Sequence, residues 1–219
     1  GANNVAIGIN ALDANTTADY NNAIGAFALS SNTTGTDNVA VGGSALTANT
    51  TGSSNVAIGN AALDANITGA YNTAVGHQAL TNATGSYNTA VGKEALSSTT
   101  DGQYNTAVGY DALISNTTGG DNIAVGTQAL DSNTTGSYNA AIGRHALGVN
   151  TTGTDNIAIG YHSQSATTTG IRNVSIGSYA LQDNTDGSYH TAVGYNALAN
   201  CTTGDQMCAF GYEALMTSD

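Results

Sequence analysis

Hydrophobic and polar positions recur along this chain with a nearly fixed spacing. Each unit reads Asn-x-Ala-Val/Ile-Gly, two variable residues, Ala-Leu, two more residues, then Asn-Thr-Thr-Gly-x-Tyr/Asp. The step into glycine lands at Gly8, Gly25, Gly42, Gly59, Gly76, Gly92, Gly109, Gly126, Gly143, Gly160, Gly177, Gly194 and Gly211. Every interval between them is 17 residues except Gly76 to Gly92, which is 16. A period this short, carried along the chain, predicts a stacked array in which each repeat rests on its neighbours and function lies on a surface.

Seventeen residues are too few for two helices and a turn. Ala-Leu is also the only helix-favouring pair in a unit otherwise rich in Asn, Thr, Gly and β-branched residues. The expected fold class is therefore all-β, a parallel β-solenoid or β-roll of 13 coils forming one array over residues 1–219. At about 4.8 Å per coil, the stack would make a rod of roughly 60 Å.

Strand alternation within Asn-x-Ala-Val/Ile-Gly puts Asn, Ala and Gly on one face and the x and Val/Ile residues on the other. The Ala slot holds alanine from Ala6 to Ala209 with Ser175 as its single exception, as a flattened coil interior would require. The opposite face carries Val41, Ile58, Val75, Val91, Val108, Val125, Ile142, Ile159, Ile176 and Val193. Water would penalise so long an apolar stripe, so it is expected to meet another chain. Ala-Leu supplies a second apolar anchor in every repeat but the one with Ser163-Gln164. Stacking would also build ladders of identical Asn residues, the longest running from Asn4 to Asn173.

Composition sharpens this picture. Pro and Trp are absent, and 24 of the 28 glycines fall in the Val/Ile-Gly and Thr-Gly slots. That reads as ordered turn chemistry, with the glycine of Asn-Thr-Thr-Gly expected at positive φ. Three Lys+Arg against fifteen Asp+Glu give a formal charge of −12, which repels phosphate backbones and anionic lipid. Nucleic acid is thereby excluded as a partner, and no apolar run is long enough for membrane insertion. The pattern starts at Gly1 and stops after Met216-Thr217-Ser218-Asp219 in mid-repeat, as an excerpt of a longer fibrous protein would. In the last coil Met207, Cys208 and Phe210 replace the usual residues, which reads as a hand-over to a different segment.

Little in the chain resembles catalytic chemistry. Cys201 and Cys208 occupy different slots of neighbouring repeats, so two buried free thiols is the simpler reading and a disulfide the alternative. Neither fits a zinc pattern. The histidines His77, His145, His162 and His190 read as scattered surface residues, and the acidic residues form no recurrent cluster. Calcium-binding nonapeptides, a nucleophile elbow, a P-loop and a dinucleotide loop are all missing. No catalytic residue, cofactor or metal ligand is therefore nominated, and no enzyme is expected. Sequons such as Asn15-Thr16-Thr17 and Asn116-Thr117-Thr118 fit the N-glycosylation rule, but they are also the turn the repeat needs.

The two slots after the Val/Ile-Gly glycine stop repeating. They hold Lys93, Glu94, His77, His162 and five of the eleven tyrosines. Such variety in a rigid unit marks a solvent-facing edge, either a neutral surface or a receptor- or glycan-binding one. Tyr110, Tyr161, Tyr195, Tyr212, Arg144 and His145 are its candidate contact residues. The remaining tyrosines, Tyr20, Tyr71, Tyr87, Tyr104, Tyr138 and Tyr189, precede the strand Asn and are read as structural.

The strand motif, in copies such as Asn55-Val56-Ala57-Ile58-Gly59 and Asn156-Ile157-Ala158-Ile159-Gly160, resembles the repeat of trimeric autotransporter adhesin heads of the YadA-like type. The fuller unit, as in Tyr104-Asn105-Thr106-Ala107-Val108-Gly109 with Ala112-Leu113 and Asn116-Thr117-Thr118-Gly119, is similar to arrays in phage, viral and bacterial tail-fibre-like proteins. That resemblance implies a left-handed roll whose three chains pack their Val/Ile faces around a common axis. It also implies an extracellular, cell-surface or virion location and a role in attachment to a cell, matrix or glycan receptor. Adhesin-head coils are a few residues shorter, so the Asn-Thr-Thr-Gly arm is an elaboration. The competing readings are a passive spacer, an ice-binding solenoid built on Thr34, Thr51, Thr118, Thr135 and Thr152, and a polysaccharide-cleaving solenoid. Adjacent Thr-Thr points the two side chains to opposite faces, which counts against ice binding.

Overall fold

The computed structural model describes residues 1–202 and 204–216, and the chain is an all-β parallel β-solenoid with no helix among the described residues. Thr217–Asp219, where the repeat breaks off, lie outside the described residues. The chain divides into two units, Gly1–Asn105 and Thr106–Asp219. The first holds β1 (Val5–Ile7), β2 (Asn22–Ile24), β3 (Val39–Val41), β4 (Val56–Ile58), β5 (Thr73–Val75) and β6 (Thr89–Val91). The second holds β7 (Thr106–Val108), β8 (Ile123–Val125), β9 (Ala140–Ile142), β10 (Ile157–Ile159), β11 (Val174–Ile176), β12 (Thr191–Val193) and β13 (Cys208–Phe210). Within each unit consecutive strands pair in parallel, one per coil. The register stacks like on like, Ala40 on Ala57 and Val41 on Ile58, or Ala124 on Ala141 and Val125 on Ile142.

The coil around β4 shows why this sequence closes into a roll. Asn55, Ala57, Ala62, Leu63 and Asn66 are fully buried, whereas Ile58 faces outward and is exposed. The alternation expected from sequence is thus correct, and the small residues fill the interior. That interior is also strongly polar. The carbonyl of Gly69 accepts Asn55 Nδ2 at 2.9 Å and Asn66 Nδ2 at 3.0 Å, tying two sides of the coil together from within. Along the stack, Asn38 Oδ1 accepts both the backbone N–H of Asn55 at 3.0 Å and its Nδ2 at 3.1 Å. Burying amides is tolerable because most of their polar atoms find partners along the stack, although the Oδ1 atoms of Asn66, Asn150 and Asn184 do not, and these ladders fix the register.

Three non-glycine residues in every coil adopt the left-handed conformation, here Ser54 (φ 59°), Ala61 (φ 53°) and Leu63 (φ 52°). Each such residue costs about 1–2 kcal/mol of local strain. The compensation is directional, since all three turn their N–H groups along the stack. Ser54 donates to Thr36 O at 3.0 Å, Ala61 to Gly43 O at 2.9 Å and Leu63 to Ala79 O at 3.1 Å. Nearly the whole backbone therefore belongs to a coil-to-coil ladder, even outside the short strands.

The turn glycines correct one expectation. Gly52 is not at positive φ, and the left-handed positions fall instead on the residue before the strand Asn, on the second variable slot and on Leu. Gly52 is required by space, because a Cβ there would overlap the Gly69 carbonyl oxygen. Positive φ among glycines falls in the Val/Ile-Gly slot, as at Gly59 (φ 140°), where a Cβ would also collide with the backbone of Gly76, and in the turn slot at Gly204 (φ 103°), where the expectation holds. The single 16-residue interval is absorbed in the turn arm. Ala83 takes the place of the buried Asn there, and β5 and β6 keep their register, Ala74 on Ala90.

Two departures from the repeat prove to be one feature. Ser163 and Gln164 replace Ala-Leu, Ser175 replaces the strand alanine of the next coil, and all three are buried. Ser163 Oγ donates to Ser175 Oγ at 2.8 Å, Ser175 Oγ to Gln164 Oε1 at 3.2 Å, and Gln164 Nε2 to Asn156 Oδ1 at 3.2 Å. A closed polar network thus stands where other coils have aliphatic packing.

Candidate functional site

The outward strand positions form an apolar stripe in each unit. Val41 and Val75 are half-buried in the first unit, where Ile58 and Val91 are exposed. In the second unit Val125 and Val193 are half-buried, and Val108, Ile142, Ile159 and Ile176 are 36–41% exposed. The β-branched aliphatic side chains of the strands thus lie outside the coils, while the interior keeps alanine, leucine and asparagine.

On the variable edge the two slots differ in burial. The first is mostly exposed, as at Lys93, Tyr110, Arg144, Tyr161, Tyr195 and Tyr212, whereas the second is mostly half-buried, as at Gln78, Glu94, His145, His162 and Tyr179. The parallel register sets like slots of successive coils side by side, and the second slot takes left-handed φ throughout. His145 and His162 are therefore stacked neighbours with ring centroids 4.9 Å apart, which corrects the reading of the histidines as scattered. The 17-residue spacing from His145 to His162 to Tyr179 was the signal for this column.

Rings from both slots join into one strip on the second unit. Tyr161 meets His162 edge-on at 4.3 Å and Tyr179 at 5.4 Å, Tyr179 meets Tyr195 at 5.9 Å, and Tyr195 stacks on Tyr212 at 5.4 Å. Four of the six nominated residues, His145, Tyr161, Tyr195 and Tyr212, thus belong to a continuous aromatic surface. His162 and Tyr179 complete it and had not been nominated. Arg144 lies exposed beside His145, and Tyr110 occupies the same slot two coils earlier. Burial lowers the His145 and His162 titrations below the ordinary value, the His145 charge adds to this for His162, and the Arg144 charge acts in the same direction on both, so the neutral imidazole is favoured in each.

Each unit carries a notch on this edge. In the first it measures about 290 Å³ and is lined by Gln78, Thr81, Asn82, Glu94 and Ser97. In the second it measures about 280 Å³ and is lined by Asp131, Ser132, His145, Gly148, Val149, His162 and Ser165. Desolvation raises the Asp131 carboxyl above the usual carboxylate range, and the nearby Asp111 charge adds to this. Among the described residues no group of three His, Cys, Asp or Glu side chains is placed to hold a metal ion.

Several other residues fall in place. Tyr71, Tyr87 and Tyr104 stack face to face at 5.1 and 5.0 Å on consecutive coils, as their spacing implies. Cys201 and Cys208 are not joined in a disulfide, and only Cys201 is buried. Cys208 occupies the outward first position of β13 and is exposed, which corrects the expectation of two buried thiols. His190 is likewise not at the surface, because it stands in the strand-Asn column and is 1% exposed.

No family model, curated protein or solved structure matches this chain.

Proposed function

We propose that this chain is a non-enzymatic fibre segment that assembles as a homotrimer through its aliphatic stripe and presents the variable edge for attachment to an extracellular receptor or glycan. One observation carries this reading. A solenoid with an amide-laced interior turns a file of Val and Ile outward in both units, and an apolar surface of that length is costly in water. A second and third copy of the same stripe is the partner whose repeat matches it coil for coil, in line with the resemblance to adhesin heads and tail-fibre arrays. The aromatic strip from His145 to Tyr212 then supplies the rigid, amphipathic groups that dominate recognition surfaces.

Ice binding is less well supported. Thr118, Thr135 and Thr152 form one exposed file, but their neighbours Thr117, Thr134 and Thr151 are half-buried. Those neighbours spend their hydroxyls on carbonyls of the next coil at 2.9–3.1 Å, leaving no second file beside the first.

Light scattering tests the assembly, with an expected mass of three times 21.7 kDa. Ile159→Asp should dissociate or unfold it, since three unpaired carboxylates would be forced together at a cost of several kcal/mol per copy. A stable monomer in the parent protein would end the trimer reading. Replacing Tyr110, Tyr161 and Tyr195 together with Ala should leave the fold intact and reduce attachment to cells or a glycan array. Undiminished attachment would leave the segment a spacer.

A further inference from the structure

The notch on the second unit is bordered by a residue without a side chain. In the column that follows Leu, the chain places Asp131, Gly148, Ser165 and Gln182 on successive coils, and Gly148 alone among the thirteen coils leaves that position without a side chain. Its backbone does not demand glycine. Gly148 is not at positive φ, and a Cβ there would meet His145 O at 3.3 Å and Asp131 Oδ1 at 3.4 Å, close but admissible contacts. Beside it a space of about 280 Å³ lies between the Asp131 carboxyl on one coil and Ser165 on the next but one, walled by His145 and His162, and a longer side chain at position 148 would enter it.

The chemistry of this space selects its occupant. A volume at the lower end of ligand pockets admits one small molecule. The two imidazoles and the carboxylate do not converge as ligands of an ion, so a bound molecule must bridge groups that stand apart. The charges around the notch are mixed, since Asp131 and Asp111 act on each other and the Arg144 guanidinium acts on both histidines, so no net charge of one sign calls for an ion. What remains on offer is a carboxylate with hydroxyls beside it, two neutral imidazoles that each donate and accept, flat ring surface, and the half-exposed Val149 side chain. A neutral pyranose matches that set, with vicinal hydroxyls for the polar groups and an axial C–H face for the rings and Val149.

We propose that the Gly148 notch is a subsite for a single neutral hexopyranose residue of a glycan, with Asp131 accepting its hydroxyls and His145 and His162 forming its wall. This rests on the reading of the edge as an attachment surface and names the ligand class.

The probes are methyl glucoside, methyl galactoside and methyl mannoside, titrated into the intact protein by saturation-transfer NMR and by the imidazole shifts of His145 and His162. At least one should bind and perturb both rings. Gly148→Gln, which places in the notch the residue already tolerated in that column at position 182, should weaken binding at least tenfold with an unchanged melting temperature. Asp131→Asn should weaken it as well, and a chelator should change nothing. Failure of all three probes to bind, equal binding by Gly148→Gln, or loss of binding on chelation would each overturn the proposal. Glycan-array attachment separates it from the broader reading. Attachment by the parent protein that Gly148→Gln leaves undiminished removes the notch and keeps the adhesive surface. Absence of attachment to any array or cell removes the adhesive surface, and the free glycosides then decide the notch alone.

Discussion

His190 stands in the column that holds Asn122, Asn139, Asn156 and Asn173 in the preceding coils of the second unit, and the substitution should make the last coil sensitive to acid. Its backbone N–H donates to Asn173 Oδ1 at 2.9 Å, and its Nδ1 accepts the backbone N–H of Met207 at 3.3 Å, as an asparagine oxygen would. The other half of the asparagine's role is lost. Asn173 Nδ2 donates to Gly187 O at 2.9 Å, whereas the buried Nε2 of His190 makes no hydrogen bond, although the Gly204 carbonyl and the Asp205 carboxylate lie near enough to act on its titration. Protonation would put a hydrogen on Nδ1 facing the Met207 N–H, breaking one of the bonds that hold the last coil to the stack beside the β12–β13 ladder. Burial lowers the His190 titration below its ordinary 6.5, outweighing the opposite effects of Gly204 and Asp205. The unfolded chain therefore binds this proton more tightly than the folded one. Stability is complete above about 6.5 and is lost as pH falls toward the lowered folded value, by up to about 1.4 kcal/mol per pH unit. His145 and His162 act with the same sign, so the comparison that isolates His190 is with His190→Asn. That variant restores a donor toward Gly204 and removes the orphaned nitrogen, a gain of about 1–2 kcal/mol at pH 7.5. Hydrogen exchange of the amides from Met207 to Phe210 is the assay, because opening at the end of a stack is local. Exchange in the variant should be about 5–30 times slower than in the parent at pH 7.5, with the ratio growing at pH 5.5. A ratio that does not change with pH would refute the role assigned to His190.

Two further outcomes follow from the coil geometry. Ser175→Ala should cost about 1–3 kcal/mol by leaving Gln164 Oε1 without its donor, while the triple change Ser163→Ala, Gln164→Leu, Ser175→Ala should recover most of that loss by restoring aliphatic packing. A triple variant that melts no higher than Ser175→Ala in denaturant titration would show that the network is not one unit. Ala61→Gly should raise stability by about 0.5–1 kcal/mol, the relief of left-handed strain exceeding the entropy cost of glycine. A lowered melting temperature would mean that the Ala61 methyl contributes more by packing than it costs in strain.

The 17-residue period, the parallel solenoid and the inward facing of the Ala column were determined by the sequence itself, because periodicity and strand alternation are local properties repeated thirteen times. The outward file of Val and Ile follows from the same alternation. The variable edge was legible too, as the place where the repeat stops repeating. Only the tertiary structure decided where the backbone takes positive φ. Leucine and tyrosine slots accept it, against their intrinsic preference, because the conformation aims each N–H at a neighbouring coil, and that reward exists only once the stack forms. The same holds for the site. That Asp131, Gly148 and Ser165 border one notch, that His145 and His162 form its wall, and that His190 is sealed inside while Cys208 is not, depends on which side chains meet across coils. Slot spacing names those neighbours, but burial, ring orientation and the volume left by a missing Cβ arise only when the coils are packed at strand distance.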